Sequence, residues 1–306
     1  MSINYMTTDT DLTAVADAIR AKTGSSEPLV YPDEYIDAIE SIETGGNDML
    51  LIERNITSVE NSTVSKIGDH AFAKCISLTT ANFPNATEIG YFAFANCSAL
   101  TSISCPNVTS IGGQAFWFCS SLVTAYFPNV TSIDYSAFYT CPALKVASFP
   151  KLSSIEWRTF YECGLVTASF PNATGIGGSA FTDCYALKEA NFPNATNIGP
   201  GAFAYCYALT TTSFPNVTYI DSYAFSRCSG LTTLSFPKAS YIGDYAFSSC
   251  ANLRTLYLLG STYVSARTTG VFSGANITSI YVPASMLASY KTHVVFKHFS
   301  NLLVGI

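Results

Sequence analysis

The 306-residue sequence predicts an α/β solenoid in which short parallel strands and helical turns recur every 22 residues. Three observations predict it. An Ala-Phe step, Thr-Phe once, ends at Phe72, Phe94, Phe116, Phe138, Phe160, Phe181, Phe203, Phe225 and Phe247. A cysteine stands three residues after each, from Cys75 to Cys250, so nine of the ten cysteines share one address. A proline recurs at one point of the unit, from Pro84 to Pro237. A unit this short cannot bury its own apolar side chains, whereas stacked copies bury them against one another.

Residues 1–46 lack the repeat. Leu12, Val15, Ala16 and Ile19 follow helical spacing after Asp11, with Gly24 as a stop. Pro32 then opens a second helix through Tyr35, Ile39 and Ile42 that ends at Gly45-Gly46. A helical hairpin is expected there, capping the first coil or forming a separate attachment module. Residues 47–258 are expected to hold the coils. In each, the Leu, the Ala three later and the Phe or Cys five later, as in Leu187, Ala190 and Phe192, fit a short strand with one buried edge. The proline that follows lacks an amide hydrogen and ends the ladder. The Ile before a Gly or Asp, from Ile89 to Ile242, returns to the core. The A-F-x-x-C stretch is expected to form a helical turn with Phe and Cys on one face. A single step of 21 residues falls at Cys163-Gly164-Leu165, where one residue is missing. Residues 259–306 are expected to form a degenerate last coil and cap. Val271-Phe272, Ala275 and Ile277 echo the repeat, Ser285 to Lys291 reads as helix, and Leu302 to Ile306 reads as a final strand.

The unit C-x-x-L-T-x-A-x-F-P-N-x-T-x-I-G-x-x-A-F-x-x-C resembles the BspA-like leucine-rich repeats of bacterial surface proteins, over roughly residues 50–283. Here Ala and Phe mostly stand at the last two strand leucines of that family. The phrase "SIYVPASMLASYK" is similar to the usual end of such proteins. The resemblance implies a leucine-rich repeat solenoid of about nine to ten coils. It further implies a non-enzymatic recognition or adhesion protein, at the bacterial cell surface or outside the cell, binding a protein or carbohydrate partner. The phrase "DLTAVADAIRAKTGSSEPLVYPDEYIDAI" resembles a segment found ahead of varied domains in phage and prophage structural proteins. That implies the alternative function, a structural or receptor-recognising component of a phage or prophage particle. Met1 to Thr10 has neither a basic start nor an apolar stretch, so no Sec signal peptide is expected and a cytoplasmic or particle location stands beside the surface one. No apolar run reaches the roughly 18 residues of a membrane span, so no membrane insertion is expected.

Charge lies unevenly. Residues 1–66 hold 12 acids and 4 bases, residues 67–258 hold 9 and 8, and residues 259–306 hold 3 bases and no acid. Without a basic stripe to neutralise phosphates, nucleic acid is not an expected partner. The cysteines form no C-x-x-C or Cys/His cluster, so no metal and no cofactor is expected. Stacked cysteines about 4.8 Å apart point in parallel, which leaves their Cβ atoms too far apart for a disulfide. A ladder of buried free thiols acting as small hydrophobes is expected. Asn-x-Thr occurs at Asn85, Asn107, Asn129, Asn172, Asn194 and Asn216, always in the turn after the proline, where local backbone hydrogen bonds are expected. Nothing points to an enzyme: there is no nucleophile elbow or P-loop, and Asp134, Glu156, Glu162 and Asp183 scatter singly. Ile-Gly-Gly at Ile111 and Ile176 belongs to the repeat's own turn and is not a dinucleotide loop.

Two surfaces are candidates for binding. The first is a set of aromatics at positions flanking the A-F step, read as lying outside the core: Tyr91, Phe92, Trp117, Phe118, Tyr135, Tyr139, Trp157 and Tyr161. The later coils are read as mostly Ser, Thr or Asp there. Such rings could stack on sugars or anchor a protein partner, or simply cover the coil edges and pack on each other. The second is the outward face of the strands, with Thr80, Ser102, Thr124, Val146, Thr167, Glu189, Thr211 and Thr233 in one row. Asn82, Ser104, Tyr126, Ser148, Ser169, Asn191, Ser213 and Ser235 form the next.

Overall fold

The computed structural model describes residues 56–306. The hairpin expected over residues 1–46, with its phage-like phrase, lies outside the described residues. From β1 (Ser58–Glu60), β2 (Lys66–Ile67), β3 (Thr80–Asn82) and β4 (Glu88–Ile89) onward, each coil supplies two short strands. Among the described residues, twelve strands line the first face, ending with β21 (Ser279–Val282) and β22 (Leu303–Gly305). Ten two-residue strands centred on the Ile row line a second face that the sequence reading did not anticipate. All pairings are parallel and one coil apart: Thr80 pairs with Ser102, and Ile89 with Ile111. The strand face therefore begins before the first A-F-x-x-C unit and continues past the last, beyond the nine to ten coils expected.

The core follows the periodicity. Leu187, Ala190, Phe192 and Ile198 are all fully buried, as are their equivalents along most of the chain. The A-F phenylalanines form one column, with neighbouring rings 4.8–5.8 Å apart and within 18° of parallel from Phe72 to Phe272. The strand-end phenylalanines form a second column, which leans on the first at steep angles, as Phe149 does on Phe138 at 63°. Burying each ring contributes roughly 1.5–3 kcal/mol before its geometric preference is counted.

The A-F-x-x-C stretch is not the helical turn expected. Residues two before and two after each Phe sit at positive φ, as in Phe92 (51°) and Asn96 (59°), or Ser136 (54°) and Thr140 (54°). Between them, every second amide bonds within the coil, as Phe92 O accepts from Ala95 N at 3.0 Å. The alternate amides bond along the stack, as Phe72 N–H donates to Ala93 O and Lys74 N–H to Ala95 O, both at 2.7 Å. A helix would direct every amide back into its own coil and leave the neighbours unjoined. Stacking wins because buried backbone groups must find partners, even though left-handed backbone costs non-glycine residues roughly 1–2 kcal/mol each. Phe and Cys nonetheless both point inward, since three-residue spacing suits either conformation. Thr159, the lone Thr in the Ala row, is fully buried and its hydroxyl donates to Glu156 O at 2.8 Å.

All ten cysteines are free and buried. They do more than fill space: from Cys97 to Cys250, each thiol of the ladder donates to the carbonyl of the Phe in the preceding coil at 2.9–3.2 Å. The Asn-x-Thr side chains likewise bond between coils and not locally. Asn107 Nδ2 donates to Pro84 O at 2.8 Å and Thr109 Oγ1 to Thr87 O at 3.1 Å, a pattern repeated at the other sites. Where Lys replaces the Asn, Lys151 and Lys238 reach back to Asn129 and Asn216 at 2.8 and 2.6 Å. The missing residue after Cys163 is absorbed by Gly164, whose added Cβ would collide with the Pro142 carbonyl. At the carboxyl end, α1 (Leu287–Thr292) and β22 fall where helix and strand are expected, and Phe272 stacks on Phe247 at 5.8 Å.

Candidate recognition surface

The turn side carries the aromatic edge. Its residues flank the alternating turns just described, with Phe92 and Phe118 at left-handed positions and the other six beside them. The eight candidates do not behave alike. Phe92 is only 2% exposed and stacks on His70 at 5.2 Å, so it is covered by the edge and offers no contact surface, although it lies outside the core cluster. Tyr91, Trp117, Tyr139 and Tyr161 are half-buried, and Phe118, Tyr135 and Trp157 are exposed, Trp157 most at 47%.

These rings touch in an unbroken series. Phe92 meets Trp117 edge-on at 6.0 Å, Trp117 meets Phe118 at 4.6 Å, and Phe118 tilts onto Tyr139 at 6.1 Å. Tyr139 and Tyr161 stack at 4.7 Å, within 5° of parallel. Beside them the Arg158 guanidinium lies 4.1 Å over the Trp157 ring and 5.7 Å from Tyr161, a favourable cation–π geometry. Tyr135 and Tyr91 join through their hydroxyls at 3.4 Å, and Tyr91 donates to Gln114 Oε1 at 3.1 Å. The second glycine of each Ile-Gly-Gly makes room for this. A Cβ on Gly113 would stand 3.1 Å from the Tyr135 ring, and one on Gly178 3.3 Å from Trp157.

The series does not stop at Tyr161, as the sequence reading supposed. Burial, followed by the neighbouring Asp183 carboxylate, raises the phenol pKa values of both Tyr161 and Tyr185, Tyr185 to about 12. Tyr185 stacks on Tyr207 at 5.6 Å, Tyr207 meets Tyr205 edge-on at 6.2 Å, and Arg227 lies 5.1 Å over Tyr205. Tyr223 and Tyr245, flanking their own A-F steps, stack at 5.2 Å, and Tyr219 and Tyr241 stack at 4.6 Å on the second strand face. The signal was present in sequence: Tyr185 and Tyr207, Tyr223 and Tyr245, and Tyr219 and Tyr241 are each 22 residues apart.

Chemically, the edge offers ring rims, phenol hydroxyls and two guanidinium groups. Because the tyrosines stack along the coil axis, their faces are spent on each other. The strand face differs. Thr80, Thr124, Thr167, Thr211 and Thr233 are exposed in its first row, and Ser104, Ser169, Ser213 and Ser235 in its second. Tyr126, 59% exposed, Val146 and Glu189 interrupt the small polar lattice. Glu162 Oε2 accepts from Thr140 at 2.9 Å. Among the described residues, no group of three or more His, Cys, Asp or Glu side chains could hold a metal, and no helix is long and apolar enough to cross a membrane.

Stacked parallel strands, an inward Leu/Phe/Ile pattern and a turn side define a leucine-rich repeat solenoid. The chain belongs to the family described as "BspA type Leucine rich repeat region (6 copies)", whose model matches residues 51–166 and 174–302. Among solved structures, it is similar to a leucine-rich repeat protein from Bacteroides ovatus, with 23% identity over 83% of this chain and 84% of that one and a TM-score of 0.38. A leucine rich cell surface protein from Faecalibacterium prausnitzii is 23% identical over 74% and 88%, with a TM-score of 0.36. The T. pallidum leucine rich repeat protein is 24% identical over 57% and 75%, with a TM-score of 0.42. No curated protein matches the chain.

Proposed function

We propose that the chain is a non-enzymatic recognition module of the cell surface that binds a protein partner through its aromatic turn edge. One observation carries this reading: Trp117, Phe118, Tyr139 and Tyr161 form contiguous, partly exposed rings on a rigid stack, and Arg158 joins Trp157 to Tyr161. Aromatics and arginines are the residues that dominate protein–protein contacts, and rings already locked against neighbours lose little freedom on binding. Family membership supports the interaction role. A carbohydrate partner fits less well, because sugars stack on free ring faces and here Tyr139 and Tyr161 cover one another while Arg158 lies over Trp157.

The test is binding of labelled protein to immobilised matrix proteins and mucin, native and deglycosylated, and to a glycan array. Trp117→Ala with Trp157→Ala is run beside Tyr126→Ala on the strand face. Binding that survives deglycosylation and falls at least tenfold in the double variant alone supports the reading. Binding to glycans only, or equal loss in the strand-face variant, overturns it.

A further inference from the structure

The carboxyl-terminal cap contains a histidine that the recognition surface does not use. His293 follows α1, and its Nδ1 accepts backbone N–H groups from Val295 at 3.2 Å and Phe296 at 3.3 Å. Its own carbonyl accepts from Lys297 N at 3.0 Å. It thereby caps the 3-10 turn Phe296–Phe299, whose N-cap residue Val295 provides no side-chain bond. A nitrogen that accepts two N–H groups must carry its lone pair, so the ring proton sits on Nε2 and the ring is neutral. Tyr263 meets the ring edge-on at 4.9 Å and Phe296 lies at 5.5 Å on the other side.

The titratable groups of the packed elements are Tyr263 ahead of the last two-residue strand, Tyr290 and Lys291 on α1, and Lys297 and His298 on the 3-10 turn. None is a carboxylate, and residues 259–306 contain 3 bases and no acid. No side-chain carboxylate stands among them to hold an imidazolium, and burial pushes the His293 pKa down from its ordinary value. Behind the turn, Phe296 is fully buried and Phe299 meets Phe272 edge-on at 5.2 Å.

We propose that His293 is an acid-released latch: taking a proton from solvent at Nδ1 removes the acceptor of both N–H groups and frees the 3-10 turn from the end of the core. A group whose folded pKa is depressed favours its neutral form in the fold. The latch therefore contributes fully above the ordinary histidine value near pH 6.5 and is lost as pH falls from there through the lower folded value. This makes the last coil acid-sensitive in a way that residues 187–242, which hold no histidine, are not.

Amide hydrogen exchange on the full chain tests it, reading residues 284–306 at pH 7.5 and pH 5.0 after correction for intrinsic rates. Wild type is expected to lose protection at least fivefold in this segment at pH 5.0, with residues 187–242 unchanged. His293→Asn retains a short, non-titrating acceptor of the kind that caps helices, and is expected to be equally protected at both pH values. His293→Ala is expected to be unprotected at both. Equal wild-type protection at the two pH values, an undiminished drop in His293→Asn, or full protection of His293→Ala at pH 7.5 would each overturn the latch.

Discussion

The strand face and the turn edge hang from the same coils yet carry opposite chemistry. On the strand face, outward residues such as Thr167, Ser169, Thr211 and Ser213 are small, polar and solvated, and parallel pairing holds them in rows. On the turn edge, the corresponding freedom is filled with rings that lie on one another, several on left-handed backbone, as at Phe118 and Tyr205. Both regions rest on identical inner columns of Phe, Cys and Ile. Within this chain, what the stack requires repeats from coil to coil, while what it leaves free varies most on the turn edge. The difference teaches that individuality in this solenoid is concentrated where the backbone is most strained, the usual place for function in a rigid scaffold.

The comparison is sharpest if the interior can be weakened without touching either surface. The largest effect is expected from alkali. Burial pushes the thiols of Cys97, Cys119, Cys141, Cys163, Cys184 and Cys206 up from an ordinary value of 9.0, with Cys105 raised to about 12. A folded pKa above the unfolded one gives stability that is complete below the unfolded value and lost as pH rises past it. At roughly 1.4 kcal/mol per thiol per pH unit, one unit above pH 9 removes on the order of 10 kcal/mol. Urea midpoints should therefore collapse between pH 9 and pH 10.5; a flat profile would mean that the thiols ionise in place. Next, Phe138→Ala removes a ring of the first column that also packs on Phe127 and Phe149 of the second, and should cost about 3–5 kcal/mol in a urea melt. A cost near 1 kcal/mol would show that the columns relax freely. Gly164→Ala drives a methyl into the Pro142 carbonyl at the shortened coil and should cost about 1–3 kcal/mol. No change there would mean the coil has slack to accept it.

Much of the fold was legible because the inward residues recur at a fixed step: Leu187, Ala190, Phe192 and Ile198 fall where the period puts them. The turn conformation was not. Phe and Cys three residues apart satisfy a helical turn and an alternating left-handed turn equally, and only hydrogen bonding between coils separates the two. The second strand face escaped for a similar reason, since two-residue strands such as Ser132–Ile133 are too short to show alternation. At the candidate site, Phe92 and Phe118 flank their A-F steps symmetrically in sequence, yet one is buried and the other exposed. Tyr185 and Tyr207 directly follow their cysteines, outside the positions that flank the A-F step, and Tyr205 stands at the position of Phe118 among coils that otherwise carry polar residues there. The thiol-to-carbonyl bonds, such as Cys141 Sγ to Phe116 O at 3.2 Å, span 25 residues and leave no local trace.

The smallest expected effect is also the most direct test of the claim that the turn edge is a contact surface and not a structural cover. Trp157 is 47% exposed and its removal leaves the inner columns untouched. Chemical denaturation of Trp157→Ala against wild type should show a loss of about 1 kcal/mol or less, in line with an exposed cation–π pair. A loss of about 3 kcal/mol or more would place Trp157 among the groups that hold the coils together, and the aromatic edge would be a cover.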